Sequence, residues 1–113
     1  MVLPKDLVAA SAVPLVLALL SRGDSYGYEI LKRVRQVSLG KLEWTEGMLY
    51  PVLHRLEDLG WVAADWRESE VGRRRKYYRI TEPGRQELND QKVRWEVVTA
   101  TLERSWGQSP EEE

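Results

Sequence analysis

The sequence has no cysteine, which excludes disulfides and thiolate metal sites. It has one histidine, His54, so there is no second imidazole for a metal centre, and no nucleophile stands beside it as a partner. No apolar run is long enough to span a bilayer; the longest, Ala12–Leu20, is under half the required length. The start carries only Lys5 before Asp6, which does not make the basic opening of a secretory leader. Glycine-rich phosphate loops, paired acids in a plausible cleft and internal repeats are all missing. These absences lead to an expectation of a cytoplasmic protein that is not an enzyme and has no cofactor, metal or membrane contact.

What is present suits one packed domain: 113 residues, 42% hydrophobic and 31% charged. The net charge of −1 does not suggest a nucleic-acid partner. The distribution matters more than the sum: six basic and two acidic residues fall between Arg67 and Arg79, which leaves a basic patch on a neutral protein open. Glu111–Glu113 close the chain, and residues 108–113 are expected to be a solvated, disordered acidic tail.

Periodicity gives the elements. Leu15, Val16, Leu19 and Leu20 predict a helix over about Ala12–Ser21 with Pro14 in its first turn, and Leu3–Ala10 a short helix or arm before it. Gly23 breaks the chain. Asp24 or Ser25 can cap a second helix over about Tyr26–Ser38, with Ile30, Leu31 and Val34 inward. In "TEGMLYPVLHRLEDLGW" (45–61), Leu49, Val52, Leu53, Leu56 and Leu59 share one helical face, with Thr45 as cap and Gly60 as stop. Gly47, Pro51, His54 and Asp58 lie opposite, flanked by Tyr50 and Arg55. An interior proline costs a helix roughly 3 kcal/mol. Its ring crowds the carbonyl of residue 47, which is an adaptable glycine, so a bend that aims Thr45–Tyr50 outward is expected.

The chemistry then changes. "WVAADWRE" alternates, with Val62, Ala64 and Trp66 on one face and Asp65 and Arg67 on the other. "KYYRI" is a second strand, with Tyr78 and Ile80 expected inward, and "SEVGRRR" is the polar loop between them. Three helices and a basic-tipped hairpin outline a winged helix-turn-helix over residues 1–81, mainly α with a small β-hairpin. A long helix follows over residues 82–107, capped by Thr81, with Pro83 in its first turn and a length of roughly 38 Å. Leu88, Trp95 and Leu102 fall seven apart, with Gln91, Val98 and Ser105 as companions. This imperfect seam calls for a partner, so a homodimer through Leu88, Trp95, Val98, Leu102 and Trp106 is expected.

"YGYEI" (26–30), "EGMLYPVLHRLEDLGWV" (46–62) and "GRRRKYYRITEPG" (72–84) together resemble the motifs of PadR-family transcriptional regulators. The resemblance covers about Val13 to Gly84, and the single C-terminal helix is similar to the short branch of that family. It implies a homodimeric, winged-helix, DNA-binding repressor, often relieved by a small molecule. It names no ligand.

The candidate residues follow. In a recognition helix, N-terminal residues face the major groove, which puts Thr45, Met48, Tyr50, His54 and Arg55 near bases or phosphates. The fork of Arg55 matches the two acceptors of guanine. Arg73, Arg74, Arg75 and Lys76 would form a wing that meets the backbone or a narrow minor groove. Ser25 and Tyr26 could offer hydroxyls to phosphate at a helix start. The plainer alternatives are a core helix with a solvated side and a solvated basic turn. Multidrug-sensing members that the chain resembles use a tryptophan at the place of Trp95. This makes Trp95, with Val98, Thr99 and Asp90 or Glu96, the candidate site for a flat aromatic effector. The partners expected are a pseudo-palindromic duplex, a second copy and such an effector. The rival reading is a winged-helix module that binds protein without operator binding.

Overall fold

The computed structural model describes residues 2–107, and the expected acidic tail lies outside them. The order is α1 (Lys5–Ser21), β1 (Ser25–Tyr26), α2 (Gly27–Val37), α3 (Glu46–Asp58), β2 (Val62–Glu68), β3 (Arg74–Ile80) and α4 (Glu82–Ser105).

The first apolar segment and the expected arm are one helix. α1 runs unbroken with Pro14 inside it, not in its first turn. The carbonyl that Pro14 cannot serve belongs to Ala10, an exposed residue, so water can take the bond. α1 packs against α2, α3, α4 and β3, which is why it is apolar on most of its surface. Ala12, Val16, Leu17, Leu19 and Leu20 are buried in it.

α2 begins at Gly27, and neither Asp24 nor Ser25 caps it. Ser25 is fully buried and its hydroxyl donates to Glu29 Oε1, while Asp24 pairs with Arg67 at 2.8 Å. α3 also continues through its proline, and the orphaned carbonyl is again on an exposed residue, Gly47. Gly60, at φ 78°, ends the unit. Its N–H donates to the Glu57 carbonyl and that of Trp61 to the Leu56 carbonyl, both at 3.0 Å, which satisfies two terminal acceptors.

β2 and β3 pair antiparallel from Val62↔Ile80 to Glu68↔Arg74. The second strand starts at Arg74, two residues earlier than expected, so Arg74 and Arg75 belong to the sheet rather than the loop. β1 adds a third strand on the far side of β3, with Ser25↔Tyr78 and Tyr26↔Tyr77. The hairpin tip closes through the Gly72 N–H to the Ser69 carbonyl at 2.9 Å, with Gly72 at φ 81°. Tyr78 and Ile80 point inward as the spacing predicts. Trp66, on the same face as Val62 by alternation, is 59% exposed, because β2 has run past the core by that point.

Thr81 caps α4, accepting from the Gly84 N–H at 3.1 Å and donating to the Gly60 carbonyl at 2.6 Å. The first turns of α4 lie against α1. Leu88 is 5% exposed and belongs to this chain's own core, so it has almost no surface left for a dimer seam. Further along, Val98, Leu102 and Trp106 are exposed.

Candidate nucleic-acid interface

The outer face of α3 divides into two flanks. One meets the hairpin and the start of α2, and the two elements enclose a cleft of about 620 Å³. Tyr50 and His54 reach it from α3, and Tyr26 from β1. Arg73, Arg74, Arg75 and Lys76 reach it from the hairpin. Seven of the residues singled out for DNA contact therefore converge. Glu46 is the one acid among the cleft's residues, which leaves the cleft cationic on a chain of net charge −1.

Aromatic faces hold the cations. Arg75 lies over Tyr26 with 4.4 Å from guanidinium carbon to ring centroid, and Arg74 over Trp66 at 5.5 Å. Tyr26 is itself set by Tyr77, edge to face at 5.3 Å. A guanidinium resting on a ring keeps its edge N–H groups free, so these arginines are pre-positioned and still able to donate. Lys76 Nζ is 3.4 Å from Glu57 Oε1. Burial lowers the pKa of Lys76, but Tyr78 and Glu57 outweigh that and leave it raised, so the ammonium is charged at neutral pH. The Tyr78 phenol is pushed up by its burial and stays neutral there. Tyr50 is half-buried with its ring over Gly27, and its ring centroid is 6.4 Å from that of exposed His54.

Four residues fall elsewhere. Ser25 has no exposed surface, and its hydroxyl is committed to Glu29, so it cannot serve a phosphate. Thr45 is exposed at the start of α3 and does not cap it through its side chain. Met48 and Arg55, seven apart and so on one side of the helix, line a second hollow of about 500 Å³ between α1 and α3. The wall of that hollow includes Trp44, which is 8% exposed and whose indole N–H finds no acceptor among the described residues. An unmade buried donor costs about 1–3 kcal/mol.

Sequence reading missed Trp66, Tyr28 and Glu46 as cleft residues. Alternation placed Trp66 on the same face as Val62 and Ala64. The available signal was its distance from the turn, since strand ends near a hairpin tip lie beyond the core. Trp95 is half-buried beside Pro14, Leu15 and Ala18 of α1, at a smaller apolar hollow of about 300 Å³. Val98 and Thr99 are exposed and are not part of that hollow.

Three helices, a three-stranded sheet and a basic hairpin beside the third helix define a winged helix protein. Residues 16–90 match the model of the Transcriptional regulator PadR-like family, so the chain belongs to that family. It is a family of transcriptional regulators, not of enzymes. The fold is similar to that of a transcriptional regulator from Clostridium thermocellum, at 31% identity and a TM-score of 0.84, covering 94% of this chain and all of that one. It is also similar to a PadR-like transcriptional regulator from Bacillus cereus, at 26% identity and a TM-score of 0.80, covering 92% of this chain and 100% of the other. The negative transcriptional regulator PadR of Bacillus subtilis is 29% identical over 89 residues, covering 77% of this chain. This chain spans 48% of that regulator's length.

Proposed function

We propose that the protein is a homodimeric repressor whose two α3 helices enter successive major grooves of a pseudo-palindromic operator, roughly 34 Å apart. The observation that carries this reading is the convergence of Tyr50 and His54 with four hairpin cations on one cleft. The cations set affinity through phosphates, and α3 reads the bases. Arg55, exposed on the neighbouring flank of α3, remains the candidate for guanine. The exposed Val98, Leu102 and Trp106 support dimerisation through α4. The Bacillus subtilis relative is a negative transcriptional regulator, which supports repression. Relief would come from a flat aromatic effector beside Trp95. It acts by favouring a dimer in which the two α3 helices no longer match the operator, which requires different affinities for the two arrangements.

The test is duplex binding by anisotropy across a salt series, with DNA from the protein's own promoter region. Arg73→Ala should weaken binding to all sequences and reduce the salt slope by about one. Arg55→Ala should lower discrimination between operator and unrelated DNA. Binding that neither change alters would defeat the reading, as would light scattering that finds only a 13.1 kDa monomer.

A further inference from the structure

Arg67 opens the basic run, yet it is not among the residues that line the cleft. It is half-buried on β2, and two carboxylates engage its guanidinium. Nη2 donates to Asp24 Oδ2 at 2.8 Å, and Nε donates to Asp65 Oδ1 at 3.0 Å. Asp24 is 43 residues away in the chain, between α1 and β1. The planar group also lies over Tyr77, with 4.8 Å from guanidinium carbon to ring centroid. Tyr77 meets Tyr26 edge to face, and Tyr26 carries Arg75 at the cleft. Strand pairing makes this series continuous. Asp65, Tyr77 and Tyr26 form one row across β2, β3 and β1. Arg67 and Arg75 pair in a neighbouring row, two residues along and so on the same face.

The charges separate two accounts of this cluster. Two acids on one guanidinium leave a net negative charge beside an element that has to approach phosphates. As charge alone, Asp24 and Asp65 oppose duplex binding. As geometry, they hold a planar fork against Tyr77, which a lysine could not present.

We propose that Arg67 is a positioning residue for DNA binding: fixed by Asp24 and Asp65, it holds Tyr77, and through Tyr77 and Tyr26 it keeps Arg75 in place at the cleft. Arg67 itself touches no phosphate. It supplies preorganisation, because an arginine already held in place loses less freedom when it meets a duplex. This role rests on the DNA-binding reading above.

The full chain is titrated with duplex from its own promoter region, by anisotropy across a salt series. Arg67→Lys and Arg67→Gln should each weaken binding about threefold to tenfold, the range for freeing one long side chain, and leave the salt slope unchanged. Arg75→Ala should reduce that slope by about one. In an Arg75→Ala background neither Arg67 change should weaken binding further. Asp24→Ala should also weaken binding, although it removes a negative charge. A second readout needs no DNA: in NMR relaxation of the free chain, the Arg75 Nε–H group should be more mobile in Arg67→Gln than in the parent. The role is overturned if Asp24→Ala tightens binding, as charge alone requires, or if Arg67→Gln lowers the salt slope by one, which would make Arg67 a phosphate contact. It is equally overturned if the loss persists without Arg75, as damage to the fold alone would give, or if the mobility of Arg75 is unchanged. A chain that binds no duplex but shows the mobile Arg75 in Arg67→Gln would support the link between the two arginines and defeat the DNA-binding reading instead.

Discussion

The ring of Tyr50 lies directly over Gly27, so close that a Cβ at residue 27 would occupy the space of the phenol oxygen and of the ring carbon that bears it. The first residue of α2 is thereby keyed to α3. In an open helix Gly→Ala would add roughly 1 kcal/mol of stability. Here overpacking, worth about 1–3 kcal/mol, should win. Gly27→Ala is expected to lower the melting temperature and weaken duplex binding by displacing Tyr50 into the cleft. Tyr50→Ala in the same chain should restore stability but not binding. Calorimetry on the double-mutant cycle measures this, and additive losses would show that the two residues are not coupled.

Gly84 is under a harder constraint. A Cβ there would meet the backbone carbonyl of Trp61 and the side chain of Ile80. That carbonyl also accepts the Thr81 N–H at 3.0 Å, so it cannot move away without breaking the start of α4. Gly84→Ala should therefore cost more than Gly27→Ala, about 3 kcal/mol or above. For a domain of this size such a loss lowers the melting temperature by more than ~10 °C. A melting temperature within a few degrees of the parent would refute the account.

Pro51→Ala should act in the opposite sense on stability. The new N–H can donate to the Gly47 carbonyl, and up to about 3 kcal/mol of helix penalty is removed. Residue 51 is exposed, so no packing is lost. If the proline sets the aim of Thr45–Tyr50, operator affinity falls while the melting temperature rises. A rise in both would mean that the proline has no role in reading DNA.

Trp95 gives the effector reading its check. Flat aromatic compounds should quench tryptophan fluorescence, and the quenching should vanish in Trp95→Ala. Quenching that persists in the variant would move the effector away from α4.

Much was legible along the chain because faces repeat at fixed intervals. Spacing alone gave α2 and α3, the hairpin, the inward Tyr78 and Ile80, and the capped start of α4 at Thr81. The basic run marked the hairpin as the cationic element. The resemblance to the family rested on three local motifs, and the match over residues 16–90 agrees with them.

Other features depended on what each face meets, which spacing cannot supply. β1 has two residues and no period of its own, and it exists only because β3 offers an open edge to Ser25 and Tyr26. Helix α1 passes through Pro14 because neighbours on several sides hold it and the residue whose carbonyl is left over, Ala10, is exposed. Leu88 matches a dimer seam by heptad position, yet the contact of α4 with α1 puts it in the core. The division of α3 is the clearest case. The sequence by itself determined that Tyr50, His54, Met48 and Arg55 stay off the leucine face. Only the tertiary structure decided that the first two join the hairpin cations and the last two join Trp44 and α1, because helical spacing fixes a direction around one axis, while the partner in that direction comes from residues distant in the chain.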